Sequence, residues 1–396
     1  MRILSVTAQK PHSTGSGIYL TELVRGFHEM GHNQAVVAGV YREDPVGFPN
    51  EVEFFPVYFK SGNLDFPIAG MSDQMPYEST IYSHMTEEMV RQFKEGFKQA
   101  LFMAVKRFQP DLILCHHLYL LTAMVRELFP KYTVAGLSHG SDLRQIQKNP
   151  LEYKYIIENI QKLDRIYALH EQQKLEILRI FECAGEKVTV TGAGYNHRIF
   201  KKGPKNRSNP VKKVVFAGKL SEKKGVMSLI RCLQYMEEDT GCLELWLAGG
   251  YGDPEEFDEI KRLSKTCPYQ VKLLGRLEQK ELADVFQKAD LFVLPSFYEG
   301  LPLVLIEALA CGLKVVATDL PGVENWMDHH CCGHGIHFVA PPRLKNTDEP
   351  LKEDLPGFEK RLAKAMSQEL YSETICCADL THISWEGICG RILETI

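Results

Sequence analysis

The 396-residue sequence contains no Cys-x-x-Cys, no Asp-x-Asp, no long unbroken hydrophobic run and no excess of positive charge. Each absence excludes something. Its eleven cysteines, an odd number without paired spacing, read as reduced thiols of a cytosolic protein and not as a disulfide framework. A formal net charge of −5 offers no general field for nucleic acid phosphates, so any anion site must be local. The longest apolar stretch, Leu301 to Ala317, is broken by Glu307, Gly312 and Lys314 and falls short of a membrane span. Without Asp-x-Asp there is no carboxylate pair to hold a metal on a diphosphate, so neutralising charge would come from lysines and backbone N–H groups. The opening residues, MRILSVTA, run straight into a strand-like segment with no signal core or cleavage site. The expectation is a cytoplasmic chain with no bound metal, no cofactor and no nucleic acid partner.

Hydrophobic residues make up 44% and charged residues 24%, enough apolar material for a large interior. A chain of this length suits two domains of about 180 to 200 residues. Short apolar runs alternate with helical patterns. Strands are predicted at Arg2 to Ala8, Gln34 to Val40, Asp111 to Cys115 and Thr133 to Ser138, with helices near Ile18 to Met30 and Glu87 to Phe108. Residues 200–213, FKKGPKNRSNPVKK, break the pattern and read as a linker. A second series of strands follows at Val214 to Ala217, Glu244 to Ala248, Gln270 to Leu274, Leu291 to Leu294 and Lys314 to Thr318. The fold class expected is α/β, two Rossmann-like doubly wound domains facing a central cleft, with ligands at the carboxyl ends of the strands.

The segment FYEGLPLVLIEALACG follows the strand LFVLPS, and Pro302 and Gly312 bracket a helix expected over Leu301 to Cys311. Glu299 would then stand just before a helix start, where free N–H groups favour an anionic ligand, with Glu307 a turn and a half inside. Two carboxylates there could each accept hydroxyls from one bound molecule. Spacing alone fits equally well a helix-start charge and a solvated helix residue. GKLSEKKG, from Gly218 to Gly225, places Lys219 and Lys224 between a strand and a helix, where they could neutralise a diphosphate or simply lie in solvent. It is no Walker loop, because Leu220 follows GK. In QKPHSTGSGIYL, Gly15 and Gly17 permit close approach of backbone to ligand, but the third glycine of a dinucleotide fingerprint is missing.

SHGSDLR offers His139, Asp142 and Arg144 on a strand-end loop, suited to hydroxyl recognition or to a structural turn. The same stretch matches G-x-S-x-G at Ser138, but the polar helix after it argues against a nucleophile elbow. HHCCGHGIH, His329 to His337, has metal-binding residue types, but its adjacent HH and CC are closer than the usual zinc-ligand spacing, so the segment reads first as a loop before the strand IHFVA, with zinc the weaker alternative. Phe93, Phe97, Leu101, Val105 and Phe108 form a helical stripe that fits sheet packing or a membrane-surface helix. The second option leaves room for peripheral contact of the N-terminal domain with the inner face of a membrane.

Taken together, these segments resemble the GT-B retaining glycosyltransferases of family four, the "group 1" family. GKLSEKKG is similar to its G-R-L-x-x-x-K-G, and Glu299 and Glu307 fill its E-x₇-E. LAGGYGDP, LLGRLEQKELADVFQKADLFVLPS and TDLPGVENWM also resemble it, while the first half matches only at the Gly15–Gly17 loop, SHGSDLR and GAGYNHRIF. The resemblance implies a hexosyltransferase moving a hexose or N-acetylhexosamine from a nucleoside diphosphate sugar, expected to be a UDP-sugar, to a hydroxyl on a glycan, lipid or small molecule with retained configuration. By position it implies Glu307 at the ribose, Glu299 and the amides of Gly300, Leu301, Pro302 and Leu303 at the donor sugar, and Lys219 and Lys224 at the diphosphate. Backbone near Arg276 and Leu277 would meet the base, and His139 would lie beside the reacting sugar. It also implies a domain plan of residues 1–199 for the acceptor, 200–213 as linker, 214–375 for the donor, and 376–396 as a helix crossing back to the first domain. Lys219 departs from the family's arginine, and Asn196 from its aspartate in the G-x-D turn.

Overall fold

The computed structural model describes residues 1–45, 47–73, 75–203, 211–345, 348–373, 378–380 and 382–396. Half of the expected linker, residues 204–210, lies outside them. The chain divides into two compact units: Met1–Ala193 with Trp385–Ile396, and Gly194–Ser384. The break thus falls ahead of residue 200, and the chain rejoins the first unit at Trp385.

The first unit holds β1 (Arg2–Thr7), β2 (Asn33–Val40), β3 (Glu53–Tyr58), β4 (Leu112–His116), β5 (Thr133–Leu137), β6 (Arg165–Ala168) and β7 (Val188–Val190). Its helices are α1 (Gly15–Glu29), α2 (Glu87–Phe108), α3 (Leu120–Leu128), α4 (Ser141–Lys148), α5 (Tyr153–Ile160) and α6 (Glu171–Phe181). All seven strands are parallel, in the order β3-β2-β1-β4-β5-β6-β7. Strand order reverses between β1 and β4, so the loops after these two strands diverge and leave a crevice at their carboxyl ends.

Local chemistry explains the elements. Every residue of β4 is buried, as expected of a parallel strand covered on both faces. Thr86 caps α2 by accepting from the Met89 N–H at 3.2 Å, Glu87 and Glu88 occupy its first turn, and Lys106 and Arg107 its last. The Phe93–Phe97–Leu101–Phe108 stripe is buried in the core of the unit, each such side chain worth roughly 1.5–3 kcal/mol. That apolar face is therefore spent on packing.

The final helix, α13 (Trp385–Leu393), is part of the first unit and lies along α1. Gly26 makes the approach possible, since a Cβ there would sit 2.8 Å from Cys389 Sγ. Arg391 donates to the Thr191 carbonyl at 2.8 Å, and the Trp385 ring meets Tyr19 edge-on at 4.9 Å.

The second unit holds β8 (Lys212–Ala217), β9 (Leu243–Ala248), β10 (Gln270–Gly275), β11 (Leu291–Leu294), β12 (Lys314–Thr318) and β13 (His337–Val339). Its helices are α7 (Val226–Cys232), α8 (Pro254–Thr266), α9 (Gln279–Lys288), α10 (Leu303–Ala310), α11 (Val323–His330) and α12 (Leu355–Tyr371). The parallel order is β10-β9-β8-β11-β12-β13. Here the reversal lies between β8 and β11, which makes the loops after those two strands the second unit's ligand position. Both units are Rossmann-like. Among the described residues no helix is long and apolar enough to cross a membrane.

Candidate active site

In the second unit the loop after β8 carries Lys219 and Lys224, and the loop after β11 carries Glu299. Lys224 Nζ lies 2.6 Å from Glu299 Oε1, which also accepts from the Ser296 hydroxyl at 2.7 Å. The two loops are locked by backbone as well: Phe297 N–H donates to the Lys223 carbonyl at 3.0 Å. Gly225 explains how they come so close. Its φ is +69°, and a Cβ would stand 2.0 Å from the Pro295 carbonyl oxygen, so only glycine fits. Gly249 does the same beside the loop after β8, where a Cβ would meet the Gly218 oxygen at 1.7 Å.

α10 begins later than its sequence pattern predicts. Pro302 is the N-cap, not part of the first turn, and Leu303 is the first helical residue. No side chain caps this end and its first turn has no acidic residue, so the leading N–H groups face the loop that bears Glu299 and Gly300. Glu307 is 7% exposed on a helix otherwise apolar nearly all round, which rules out the solvated-residue alternative. Leu301 is buried, Arg276 is exposed and Leu277 half-buried just beyond β10. Lys219 is half-buried.

The first unit gathers a different group at the carboxyl ends of β4 and β5. His116 Nδ1 and His139 Nε2 are hydrogen-bonded at 3.1 Å, with the rings stacked 5.3 Å apart, and His117 tilts against His139 at 4.7 Å. The Tyr19 ring completes the enclosure, edge-on to His139 at 5.2 Å. Burial pushes His116 down to about 3, and burial with the two neighbouring imidazoles pushes His139 well below its ordinary value. His117 is lowered by burial, with Asp142 opposing. All three are thus neutral at pH 7, each able to donate one hydrogen and accept another. His117 has φ +73°, unusual for a non-glycine residue, and among the described residues neither of its ring nitrogens has a hydrogen-bond partner.

Several expectations change here. Gly15 and Gly17 are inside α1, not in the loop before it: Thr14 is the N-cap and its hydroxyl accepts from the Gly17 N–H at 3.1 Å. That N–H is therefore committed, and Gly17 is required because a Cβ would stand 2.8 Å from the Lys10 oxygen. Asp142 is likewise structural. Its carboxylate accepts from Leu118 N–H at 2.7 Å, His139 N–H at 3.1 Å and Ser138 Oγ at 3.1 Å, tying the loops after β4 and β5 together. Ser138 is fully buried, in agreement with the argument against a nucleophile elbow. Among the described residues no group of three or more His, Cys, Asp or Glu is placed to hold a metal ion.

Sequence reasoning passed over His116, His117, Ser296 and the pair Lys223–Asp348. The imidazoles had a signal, because two adjacent histidines closing an apolar strand are out of character with a buried β-strand. Lys223 Nζ contacts Asp348 Oδ2 at 2.9 Å, and the aspartate is 1% exposed, so this lysine anchors the loop while Lys224 points to Glu299.

Residues 198–347, fewer than half of the chain, match the family model described as glycosyl transferases group 1. The chain is 28% identical over 246 residues to the amylovoran biosynthesis glycosyltransferase AmsK of Erwinia amylovora, spanning 58% of each protein. Among solved structures it resembles sucrose-phosphate synthase from Thermosynechococcus elongatus, with TM-score 0.69 and 16% identity over 100% of this chain and 98% of that one. It also resembles Anabaena HepE in complex with UDP and glucose, with TM-score 0.65 and 14% identity over 100% and 99%. At these identities the structural likeness establishes the fold.

Proposed function

We propose that the chain is a retaining hexosyltransferase that moves a sugar from a UDP-sugar to an acceptor hydroxyl. The observation that carries this reading is the Lys224–Glu299 contact at the strand-order reversal of the second unit, just ahead of the helix that buries Glu307. The group 1 match covers these residues, and the HepE structure with UDP and glucose supports the donor class.

In this reading Glu307 holds the ribose hydroxyls. Glu299 keeps Oε1 on Lys224 and Ser296 and offers Oε2 to a hydroxyl of the donor sugar. Lys219 and Lys224 face the diphosphate, while the N–H groups at Gly300 to Leu303 face the sugar and backbone at Arg276 and Leu277 the base. As the bond from the anomeric carbon to the diphosphate oxygen breaks, the electron pair leaves with the diphosphate, and the lysines stabilise that charge. The acceptor oxygen bonds to the same face of the anomeric carbon and its proton passes to the departing phosphate oxygen. His139, neutral, is assigned to the side of the reacting sugar. No metal takes part. The acceptor is a glycan, lipid or small molecule.

Proton NMR of the product formed from a UDP-α-sugar tests the reading. An α-linked product is expected; a β-linked one would overturn retention, and no transfer from any UDP-sugar would overturn the donor.

A further inference from the structure

The His139 ring is clamped within the first unit. Its backbone N–H donates to Asp142 at 3.1 Å, fixing the chain after β5, while Tyr19 meets the ring edge-on at 5.2 Å and His117 tilts against it at 4.7 Å. One polar contact orients it. His116 Nδ1 lies 3.1 Å from His139 Nε2, with the two rings within 13° of parallel. His116 itself has little freedom, because it ends β4, pairs in register with Leu137 of β5 and is 3% exposed.

Of the six ring nitrogens in this trio, two meet in that contact and three, His116 Nε2 and both of His117, are buried without a partner among the described residues. His139 Nδ1 is left for a ligand, on a residue that is half-buried and not sealed. A neutral imidazole carries one proton, so the 3.1 Å contact admits two arrangements. In the first, His116 Nδ1–H donates to His139 Nε2, and the His139 proton is on Nδ1. In the second, His139 Nε2–H donates, and His116 must carry its own proton on Nε2, buried with no acceptor. Buried N–H groups left without an acceptor are rarer than acceptors left without a donor. His117 already buries one unpartnered N–H, and the second arrangement would add another. The first is favoured.

We propose that His116 is a positioning residue for transfer: its Nδ1–H holds His139 Nε2 and keeps the His139 proton on Nδ1, where it donates to an oxygen of the reacting sugar. The place beside the sugar rests on the transferase reading; the tautomer does not. With Nε2 engaged and Nδ1 protonated, His139 has no free lone pair with which to act as a base. That agrees with passage of the acceptor's proton to the departing phosphate oxygen.

Long-range proton–nitrogen correlation spectra of the full chain, with ¹⁵N-labelled histidine at pH 7, test the tautomer. His139 and His116 are assigned by the signals lost in His139→Gln and His116→Leu. Both residues should be protonated on Nδ1 and bare on Nε2, and a proton on His139 Nε2 would overturn the proposal. Initial rates test the positioning. His116→Leu removes the donor and should lower kcat roughly tenfold or more while KM for the UDP-sugar changes by less than about twofold. His116→Asn can place a side-chain N–H near the position of Nδ1 and should recover most of that rate. A kcat in folded His116→Leu equal to the parent's, or one that folded His116→Asn does not raise, would overturn the positioning role. The parent's own spectrum decides the tautomer even where a variant does not fold. The expected tautomer in a chain that transfers from no UDP-sugar would support the hydrogen bond and count against the transferase reading alone.

Discussion

Lys224 Nζ and Glu299 Oε1 stand 2.6 Å apart, although the residues come from loops that follow different strands of the second sheet. The two side chains are each mostly shielded from solvent, so the contact belongs to the class of partly buried charged hydrogen bonds, worth about 1.5–3 kcal/mol. The pair fixes the carboxylate through one oxygen and holds the ammonium at the sheet's ligand position. Division of labour with Glu307 follows.

Glu307→Ala is expected to weaken UDP and UDP-sugar alike, because a ribose contact does not change between ground and transition states. Glu299→Ala is expected to leave UDP affinity nearly intact and lower turnover roughly ten- to a hundredfold, since the sugar it orients acquires positive charge as the bond breaks. Calorimetry with UDP and initial rates with the full donor separate the two. Loss of UDP binding in Glu299→Ala together with full activity in Glu307→Ala would reverse the assignment.

Gly225→Ala should separate the two loops. The new methyl would meet the Pro295 carbonyl in a left-handed backbone, costing at least about 1–3 kcal/mol. Melting temperature and donor affinity should fall together. A variant that melts and turns over like the parent would show that the close approach is dispensable.

The histidine cluster predicts acid lability of the first unit. Unfolded histidines take up protons near 6.5, whereas the folded pKa values are depressed, to about 3 for His116. Below pH 6.5 the unfolded state therefore binds more protons, and the stability present above that pH is lost progressively as pH falls towards the folded values. Each group contributes at most about 1.4 kcal/mol per pH unit. Denaturant unfolding at pH 7, 6 and 5 should show the decline, and His116→Gln should flatten it. An unchanged slope in that variant would remove His116 from the account.

Transfer should proceed in saturating chelator at nearly the untreated rate, because lysines and N–H groups supply the neutralising charge. Complete loss restored by magnesium or zinc would contradict this and make a metal part of the reaction.

Central parallel strands were legible in the sequence because they are continuous apolar runs, and those at Leu291–Leu294 and Lys314–Thr318 carry the expected bounds. For Glu299, Glu307, Lys219 and Lys224 spacing alone left ligand contacts and solvated positions equally open; the resemblance singled them out, and the structure sets Lys224 against Glu299 and buries Glu307. The start of α1 was misplaced because glycines were read as loop, whereas Thr14 caps the helix and Gly15 and Gly17 lie inside it. The Lys223–Asp348 contact spans 125 positions, and the His116–His139 contact joins two strand ends. Such contacts are set by strand order, which local patterns do not encode.

Thermal unfolding against UDP-glucose, UDP-galactose, UDP-N-acetylglucosamine and the corresponding GDP and ADP sugars tests the central claim most directly. At a hundred times its dissociation constant, the cognate UDP-sugar should add about 2.7 kcal/mol, a shift of roughly 5–10 °C for a unit of this size. That shift should be much reduced in both Glu307→Ala and Lys224→Ala. No shift with any nucleotide sugar, or one that both variants retain in full, would contradict the assignment of the donor to the Lys224, Glu299 and Glu307 site.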